Sequence, residues 1–341
     1  MGETAVLAEL WRGGFKESAH YGHVAAVDEK GELVAFAGDP NAFVYPRSAL
    51  KPIQALCLVE SGAASAFGFT QRELALCAAS HQAEDFHVET VKTMLGKAGL
   101  DVSYLQCGAH APYSLEAAAA LARAGREPEA VHSNCSGKHT GMLTAAKHMG
   151  ADLHTYLEPD HPVQRYILQA LCDIIELPES QVPVAVDGCG APVFGIPLAK
   201  LALIFAYLAA PDKAPEAHRV GLRTVRDAMM AYPEMVAGTG RFCTRLMQEG
   251  NGQIVSKAGA EGVYGVGLLA SPLGVKGVAV KVQDGAGRAA EPAVMKTLVA
   301  LGALDQSQRV ALSHFSQPEV RNVAGKLVGD IRSTFDLTFV K

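Results

Sequence analysis

Short apolar runs predict strands at both ends of the chain. Runs with the length and composition of strands lie at residues 5–10, 23–28, 33–38, 253–257 and 275–282. Glu29-Lys30-Gly31 supplies a turn between the second and third runs, which indicates a hairpin. An Ala-rich helix at 288–303 and further strands follow. Both chain ends are therefore expected to contribute to one antiparallel sheet.

The middle of the chain is mainly helical. Segments with helical patterning, mostly separated by Gly or Pro, lie at residues 48–61, 70–79, 84–98, 114–124, 136–149, 161–176, 197–210 and 216–231, with a strand at 182–187. No Ser/Gly-rich linker, low-complexity tract or repeat divides the chain. We expect an α/β protein with a single domain over 1–341, in which a helical lobe at roughly 62–210 covers a sheet formed by 1–40 and 250–341.

Composition and charge exclude several classes of protein. The 341 residues are 49% hydrophobic and 19% charged, which suits a folded globular protein. The formal charge is −5 and no basic block is present, so nucleic acid is not an expected partner. The most apolar stretch, 198–210, carries Lys200 and is too short to span a bilayer, and the first residues lack the features of a leader peptide. We therefore expect a cytoplasmic protein without a membrane partner.

Cysteine usage favours reduced thiols. The seven cysteines are odd in number, widely spaced and free of C-x-x-C, so a disulfide framework is not expected. Cys57, Cys77 and Cys172 lie in apolar helical runs, where a small buried side chain is the simplest interpretation.

Ser48 and Lys51 form the most informative motif. Pro52 fits best among the first residues of a helix, so Ser48 is expected in the first turn with Lys51 on the same face. A serine hydroxyl becomes nucleophilic when a base takes its proton, and a lysine does so only in its neutral form, which requires burial or a second cation. The spacing alone is common, so an ordinary helix start is the alternative.

Two further segments carry related chemistry. Ser80-His81 ends one helix before the next begins, where a polar cap is the alternative interpretation. Lys257 ends a strand and is followed by Ala258-Gly259, similar to the K-x-G strand of the serine penicillin-recognising enzymes.

The densest polar cluster is His132-Ser133-Asn134-Cys135-Ser136-Gly137-Lys138-His139. A thiolate at the start of a helix is stabilised by the helix dipole, and Asp187-Gly188-Cys189 offers a second thiol. Thiolates suit Zn²⁺, and chemistry alone selects Cys135, His139 and Cys189 as ligands, with unconnected buried thiols as the alternative.

Six segments together resemble the rhizobial-type (class 3) L-asparaginases, within the asparaginase II family. They are Pro46-Arg47-Ser48-Ala49-Leu50-Lys51, Ala79-Ser80-His81, Asn134-Cys135-Ser136-Gly137-Lys138-His139, His161-Pro162-Val163-Gln164, Asp187-Gly188-Cys189 and Gly259-Ala260-Glu261-Gly262-Val263-Tyr264. The resemblance runs from about residue 10 to 290. It implies a serine β-lactamase/glutaminase-like fold and a homodimer.

The resemblance also implies roles for particular residues. As catalytic groups it implies two Ser-Lys pairs, Ser48 with Lys51 and Ser80 with Lys257, with Ser48 as the nucleophile. One Zn²⁺ per chain is expected on Cys135, Lys138 and Cys189, in place of the set that includes His139. Arg47, His139 and Asp187 are the expected substrate contacts.

The predicted function is hydrolysis of L-asparagine to L-aspartate and ammonia through a Ser-Lys-activated acyl-enzyme, with a structural or substrate-anchoring zinc. The nearest alternative is the same machinery acting on glutamine or a β-lactam. A second alternative is a non-catalytic zinc protein that senses a small amide, although sensing does not need two Ser-Lys pairs.

Overall fold

The computed structural model describes residues 3–340. The strands are β1 (Ala5–Arg12), β2 (Phe15–Val27), β3 (Leu33–Ala37), β4 (Phe43–Val44), β5 (Val184–Val186), β6 (Pro192–Phe194), β7 (Ile196–Pro197), β8 (Ile254–Ala258), β9 (Val263–Leu268), β10 (Gly277–Val282), β11 (Glu319–Arg321), β12 (Leu327–Arg332) and β13 (Thr338–Phe339). The α-helices are α1 (Lys51–Gln54), α2 (Leu56–Glu60), α3 (Ala63–Ala66), α4 (Gln71–Cys77), α5 (Asp85–Lys97), α6 (Leu115–Arg123), α7 (Ser136–His148), α8 (Pro162–Ile175), α9 (Leu198–Ala209), α10 (Arg219–Ala231), α11 (Pro233–Ala237), α12 (Phe242–Glu249), α13 (Gly287–Ala300), α14 (Gln306–Ala311) and α15 (Ser313–Ser316).

The chain divides into two compact units. The sheet unit comprises the chain up to Ala49, Gly195–Lys213 and the chain from Arg245 onward. The helical unit comprises Leu50–Phe194 and Ala214–Thr244. Compared with the lobe expected at roughly 62–210, the helical unit starts earlier, gains the segment around α10 and excludes α9.

The main sheet contains strands from both chain ends, which confirms the predicted antiparallel sheet. The strand order is β11-β12-β1-β2-β10-β9-β8, and every pairing in it is antiparallel. Strand β3 pairs with both β2 and β13. Strand β2 is 13 residues long, enough to pair with three neighbours. Strand β8, which carries Lys257, lies at the edge of this order.

Helix α9 packs on the sheet through glycines. A Cβ on Gly265 would lie 1.9 Å from a ring carbon of Phe205, and one on Gly277 would lie 1.9 Å from the Ala202 carbonyl oxygen. Only residues without a Cβ allow backbone and ring to approach this closely. The same glycines weaken the strand pattern in the sequence, which explains why β9 was not among the predicted strands.

Helix α7 is the buried helix of the helical unit. Every residue from Ser136 to Ala146 is buried, and α2, α3, α4, α5 and α8 pack around the helix. A helix that is covered on all sides needs its polar side chains to be paired within the fold. The polar side chains at its start therefore belong to an internal hydrogen-bonded site.

One predicted helix is wrong in detail. The expected helix at 48–61 is a 3₁₀ helix, Arg47–Leu50, followed by α1 and α2. Ser48 therefore lies in the 3₁₀ turn, and Lys51 begins α1 with Pro52 next to it. The other predicted helices agree with the structure to within a few residues at each end. Among residues 3–340, no helix combines the length and the apolarity that crossing a bilayer requires.

Candidate active site

Ser48 lies in a turn whose backbone is strained. The 3₁₀ helix begins with Arg47 at a φ of 51°, which costs a residue with a side chain roughly 1–3 kcal/mol. The Ala49 amide donates a hydrogen bond to the Pro46 carbonyl at 3.0 Å and closes the turn. Strain of this kind is concentrated at functional sites, so the turn is a strong candidate position for a nucleophile.

The residue that follows strand β8 contacts this turn within the sheet unit. A Cβ on Gly259 would lie 2.4 Å from the Pro46 carbonyl oxygen and 3.3 Å from the Ala49 nitrogen. Lys257, two residues earlier, is 1% exposed, and its Nζ donates to the Ala258 carbonyl at 2.8 Å. The sheet unit thus packs the turn of the predicted nucleophile against the strand that carries the second predicted lysine.

Lys51 and Ser80 are in direct contact within the helical unit. Lys51 is 1% exposed, and its Nζ donates to the Ala79 carbonyl at 2.5 Å and to Ser80 Oγ at 3.0 Å. The Ser80 amide donates to the Val236 carbonyl at 2.9 Å, which holds the serine in place. This contact links the lysine of one predicted pair to the serine of the other.

A directional chain of hydrogen bonds holds the residue after Ser80. The Ala83 amide donates to His81 Nδ1 at 3.1 Å, so Nε2 carries the proton and donates to Ser136 Oγ at 2.8 Å. The Ser136 hydroxyl donates in turn to the Val131 carbonyl at 3.0 Å. Burial holds the pKa of His81 well below its ordinary value, which keeps the ring neutral. His81 is therefore a buried structural support of Ser80.

Two thiols meet at the start of α7. Cys135 precedes the helix, Cys189 comes from the loop between β5 and β6, and Lys138 Nζ donates to Cys189 Sγ at 3.1 Å. A hydrogen bond from Cys189 holds the pKa of Cys135 well below its ordinary value, and the charges of Lys51 and Lys138 add to this effect against burial. The same hydrogen bond, together with burial, raises the pKa of Cys189. The hydrogen bond between the two thiols thus favours the charged form of Cys135 and the neutral form of Cys189.

Asp187 and His139 flank this cluster. The Asp187 carboxylate accepts the Gly188 amide at 2.6 Å, and the carboxylate lies within range of the Lys138 charge. His139 is fully buried on α7, with Nδ1 2.6 Å from the Tyr156 hydroxyl oxygen. Burial, with the charges of Lys138 and Lys51, holds the pKa of His139 well below its ordinary value. A neutral imidazole and a carboxylate thus lie close to the thiols.

The thiols and Lys138 have the chemical character of a zinc site. Two sulfur donors and an amine are already in contact with one another. Between residues 3 and 340, no group of three or more His, Cys, Asp or Glu side chains could hold a metal ion, so such a site depends on the lysine as its third donor. Burial opposes the charge of Lys138, but Cys135 and Cys189 outweigh it and raise its pKa. Binding of Zn²⁺ by these three side chains would therefore release protons from Lys138 and from Cys189.

The sequence missed the residues that support the site. Tyr156 lies in an irregular segment between α7 and α8, and no motif or periodicity marks it. The sequence groups Ser136 with the thiols, although its hydroxyl serves His81. Pairings of this kind depend on which elements pack together, and a single sequence carries no signal for them.

Comparison with known proteins identifies the family. The profile of the family described as L-asparaginase II matches residues 8–333. Among solved structures, a β-lactamase from Mycobacterium bovis is 13% identical with a TM-score of 0.43, covering 86% of this chain and 95% of that one. A protein designated Mglu, in its native form, is 15% identical with a TM-score of 0.36, covering 83% of this chain and 64% of that one. No curated relative matches the chain in sequence.

The family match extends over nearly the whole chain and includes every candidate residue described above. The protein is therefore an amidohydrolase. It belongs to the L-asparaginase II family, which confirms the family that the six segments predicted.

Proposed function

We propose that the protein hydrolyses L-asparagine to L-aspartate and ammonia through an acyl-enzyme on Ser48. The observation that carries this proposal is the 3.0 Å hydrogen bond between buried Lys51 and Ser80 in a member of the L-asparaginase II family. A lysine amine against a serine hydroxyl can activate a nucleophile and move its proton without a histidine base.

In the acylation step, Ser48 Oγ bonds to the carbon of the side-chain amide while neutral Lys51 takes the hydroxyl proton. The electrons of the C=O π bond move onto the oxygen and form a tetrahedral adduct. When the adduct collapses, the C–N bond breaks and the proton passes from Lys51 through Ser80 to the nitrogen, which leaves as ammonia. Lys257 enters this scheme as the lysine of the second Ser-Lys pair that the family resemblance implies.

In the deacylation step, a water molecule attacks the ester carbon and gives a proton to Lys51. The C–Oγ bond breaks, Ser48 recovers its proton from Lys51, and aspartate leaves. The substrate is oriented by its charged groups. The Arg47 guanidinium suits the α-carboxylate, the Asp187 carboxylate suits the α-ammonium, and His139 offers a further donor.

We also propose that Cys135, Lys138 and Cys189 hold one Zn²⁺ per chain. When bound, the ion supplies a fixed positive charge that orders the site and attracts oxygen atoms of the substrate. The support for this proposal is the contact of Lys138 with Cys189 and the hydrogen bond between the two thiols.

The test is ammonia release from asparagine and glutamine measured side by side, with a β-lactam as a third substrate. We expect turnover of asparagine, and loss of at least about 10²-fold in kcat for Ser48→Ala with an unchanged circular dichroism spectrum. Ser65→Ala, at an exposed serine of α3, is the matched control and should keep full activity.

Other results would redirect the proposal. A Ser48→Ala variant that keeps more than about a tenth of kcat would move the nucleophile to Ser80. Turnover of glutamine or the β-lactam without asparagine would assign the alternative amidohydrolase activity. Tight binding of asparagine without turnover would indicate the sensor.

We further propose a homodimer in the cytoplasm. Among residues 3–340, the seven cysteines form no disulfide and all are buried, as expected for a reducing compartment. Light scattering after size-exclusion chromatography tests the dimer, because a single species with the 35.8 kDa mass of one chain would refute it.

A further inference from the structure

A buried histidine in the helical unit has a ring nitrogen without a hydrogen-bond partner. His139 Nδ1 lies 2.6 Å from the Tyr156 hydroxyl oxygen, whereas Nε2 has no partner among residues 3–340. Both side chains are fully buried, and the rings meet edge to face at 5.6 Å. Buried polar atoms in proteins are nearly always paired. The unpaired nitrogen therefore points to a group that binds from outside the chain.

The surroundings of Tyr156 decide which nitrogen of His139 carries the proton. The Gln106 backbone amide donates to the Tyr156 oxygen at 3.0 Å, and His139 is the other partner of that hydroxyl. If Nδ1 carried a proton, it would donate to Tyr156 and leave the tyrosine O–H unpaired, in addition to Nε2. If Nδ1 is bare, the tyrosine O–H donates to it and only Nε2–H is unpaired.

The second arrangement leaves one buried polar group unpaired, and the first leaves two, whether the ring is neutral or protonated. Each unpaired buried group is costly. The hydrogen-bond geometry thus places the ring proton on Nε2 and leaves Nδ1 as the acceptor of the tyrosine hydroxyl.

We propose that Tyr156 is a positioning residue for the asparaginase reaction. Its hydroxyl donates to His139 Nδ1, confines the ring proton to Nε2 and presents Nε2–H as a donor to a carboxylate or carbonyl oxygen of the amino-acid substrate. The identity of the substrate rests on the proposed function. The position of the proton rests on the hydrogen bonds alone.

The segment around Tyr156 is anchored in a way that suits this role. Gln164 Nε2 donates to the Tyr156 backbone carbonyl at 2.8 Å, and Gln164 is 1% exposed. His161 accepts the Val163 amide at 3.2 Å and donates from Nε2 to the Asp152 carbonyl at 3.0 Å. The segment His161-Pro162-Val163-Gln164 therefore holds the chain on which Tyr156 stands. The hydroxyl of Tyr156 and its backbone are therefore held by different partners.

The first test reads the tautomer directly. In the ¹⁵N-histidine-labelled protein, long-range ¹H–¹⁵N spectra distinguish a ring protonated at Nδ1 from one protonated at Nε2, and the His139→Gln spectrum identifies the signals of His139. We expect the proton on Nε2 and a shift of its resonance when L-aspartate, the proposed product, is added. A proton on Nδ1, or a resonance that saturating L-aspartate leaves unchanged, would overturn the inference.

The second test uses a double-mutant cycle. Tyr156→Phe removes the donor to Nδ1, so the His139 ring can rotate and its proton can move between the two nitrogens. We expect kcat/KM to fall roughly tenfold, which is less than the hundredfold cost of a 1 Å misplacement. Glutamine carries an N–H at about the reach of Nε2 and has no tautomer to set. His139→Gln should therefore keep more activity than His139→Asn, and Tyr156→Phe should cost less than about twofold in the His139→Gln background.

Tyr166→Phe is the matched control. Tyr166 donates a part-buried hydroxyl to Glu60 in the same unit, so its removal should lower the melting temperature and leave kcat/KM unchanged. Multiplicative losses for Tyr156→Phe and His139→Gln would show that Tyr156 does not act through His139. A wild type that releases no ammonia from asparagine would refute the proposed function instead, and the tautomer spectrum would still decide where the proton lies.

Discussion

Replacement of Gly259 by alanine tests whether β8 sets the position of the Ser48 turn. Gly259 has a φ outside the left-handed region, so alanine is allowed by the backbone and acts only through its Cβ. That Cβ would lie 2.4 Å from the Pro46 carbonyl oxygen. Carbon and oxygen in close contact stay about 3.3 Å apart. The turn and the strand must therefore separate by roughly 0.9 Å.

The size of this displacement sets the expected effect. A misplacement of about 1 Å in a reacting group can cost about 10²-fold in rate. Because the strand and the turn share the movement, we expect kcat to fall by roughly 10- to 100-fold. Extra volume in a packed region costs about 1–3 kcal/mol of stability, which a protein of this size tolerates without unfolding.

The assay is the initial rate of ammonia release from asparagine, with the melting temperature measured on the same samples. Gly96→Ala is the matched control, because a Cβ there meets no atom within 4 Å and the residue lies in α5. It should keep full activity and gain a few tenths of a kcal/mol or more in stability. A folded Gly259→Ala variant with kcat within twofold of the wild type would refute the reasoning.

Three further predictions concern pH and metal. Burial lowers the pKa of His87 to about 4, against 6.5 in the unfolded chain. The stability that neutral His87 contributes is therefore fully present above pH 6.5. The free energy of unfolding falls by roughly 3 kcal/mol as the pH drops to 4, because only the unfolded chain binds the proton there. His87→Gln should remove that loss from urea titrations at pH 7 and 4. Glu60 raises the pKa of His218, so the stability from the His218–Glu60 contact is fully present below pH 6.5 and is lost as the pH rises through the native pKa of His218. His218→Gln should therefore reduce the loss of stability on the alkaline side. Elemental analysis should find about one zinc per chain, and Cys189→Ser should lower it, whereas Cys172→Ser should not.

Controls separate these effects from general destabilisation. His314→Gln, at an exposed histidine, should leave both pH profiles unchanged. An acid decline that persists in full in His87→Gln would show that other groups carry it. An unchanged loss of stability on the alkaline side in His218→Gln would contradict the role of Glu60. Wild-type protein that contains no zinc after purification would contradict the proposed ligand set.

The sequence predicted much of the fold because its signals are local. Strand runs at both ends and helical periodicity in the middle agree with the observed elements to within a few residues at most boundaries. The pattern failed where a tertiary contact overrides it. Strand β9 contains Gly265, which is unfavourable in a strand but lets Phe205 approach. The segment 48–61 has a helical composition, yet it begins with a strained 3₁₀ turn at Arg47.

The sequence by itself determined the family, the antiparallel sheet from both chain ends, and the types of residue available for chemistry. These follow from residue identity and from spacing along the chain. Only the tertiary structure decided which groups meet: Lys51 with Ser80, Lys138 with Cys189, and Tyr156 with His139. The physical reason is that each of these hydrogen bonds joins residues 17 to 51 positions apart. Their contact depends on how the helices and loops of the fold pack, which residue identity and local spacing do not encode.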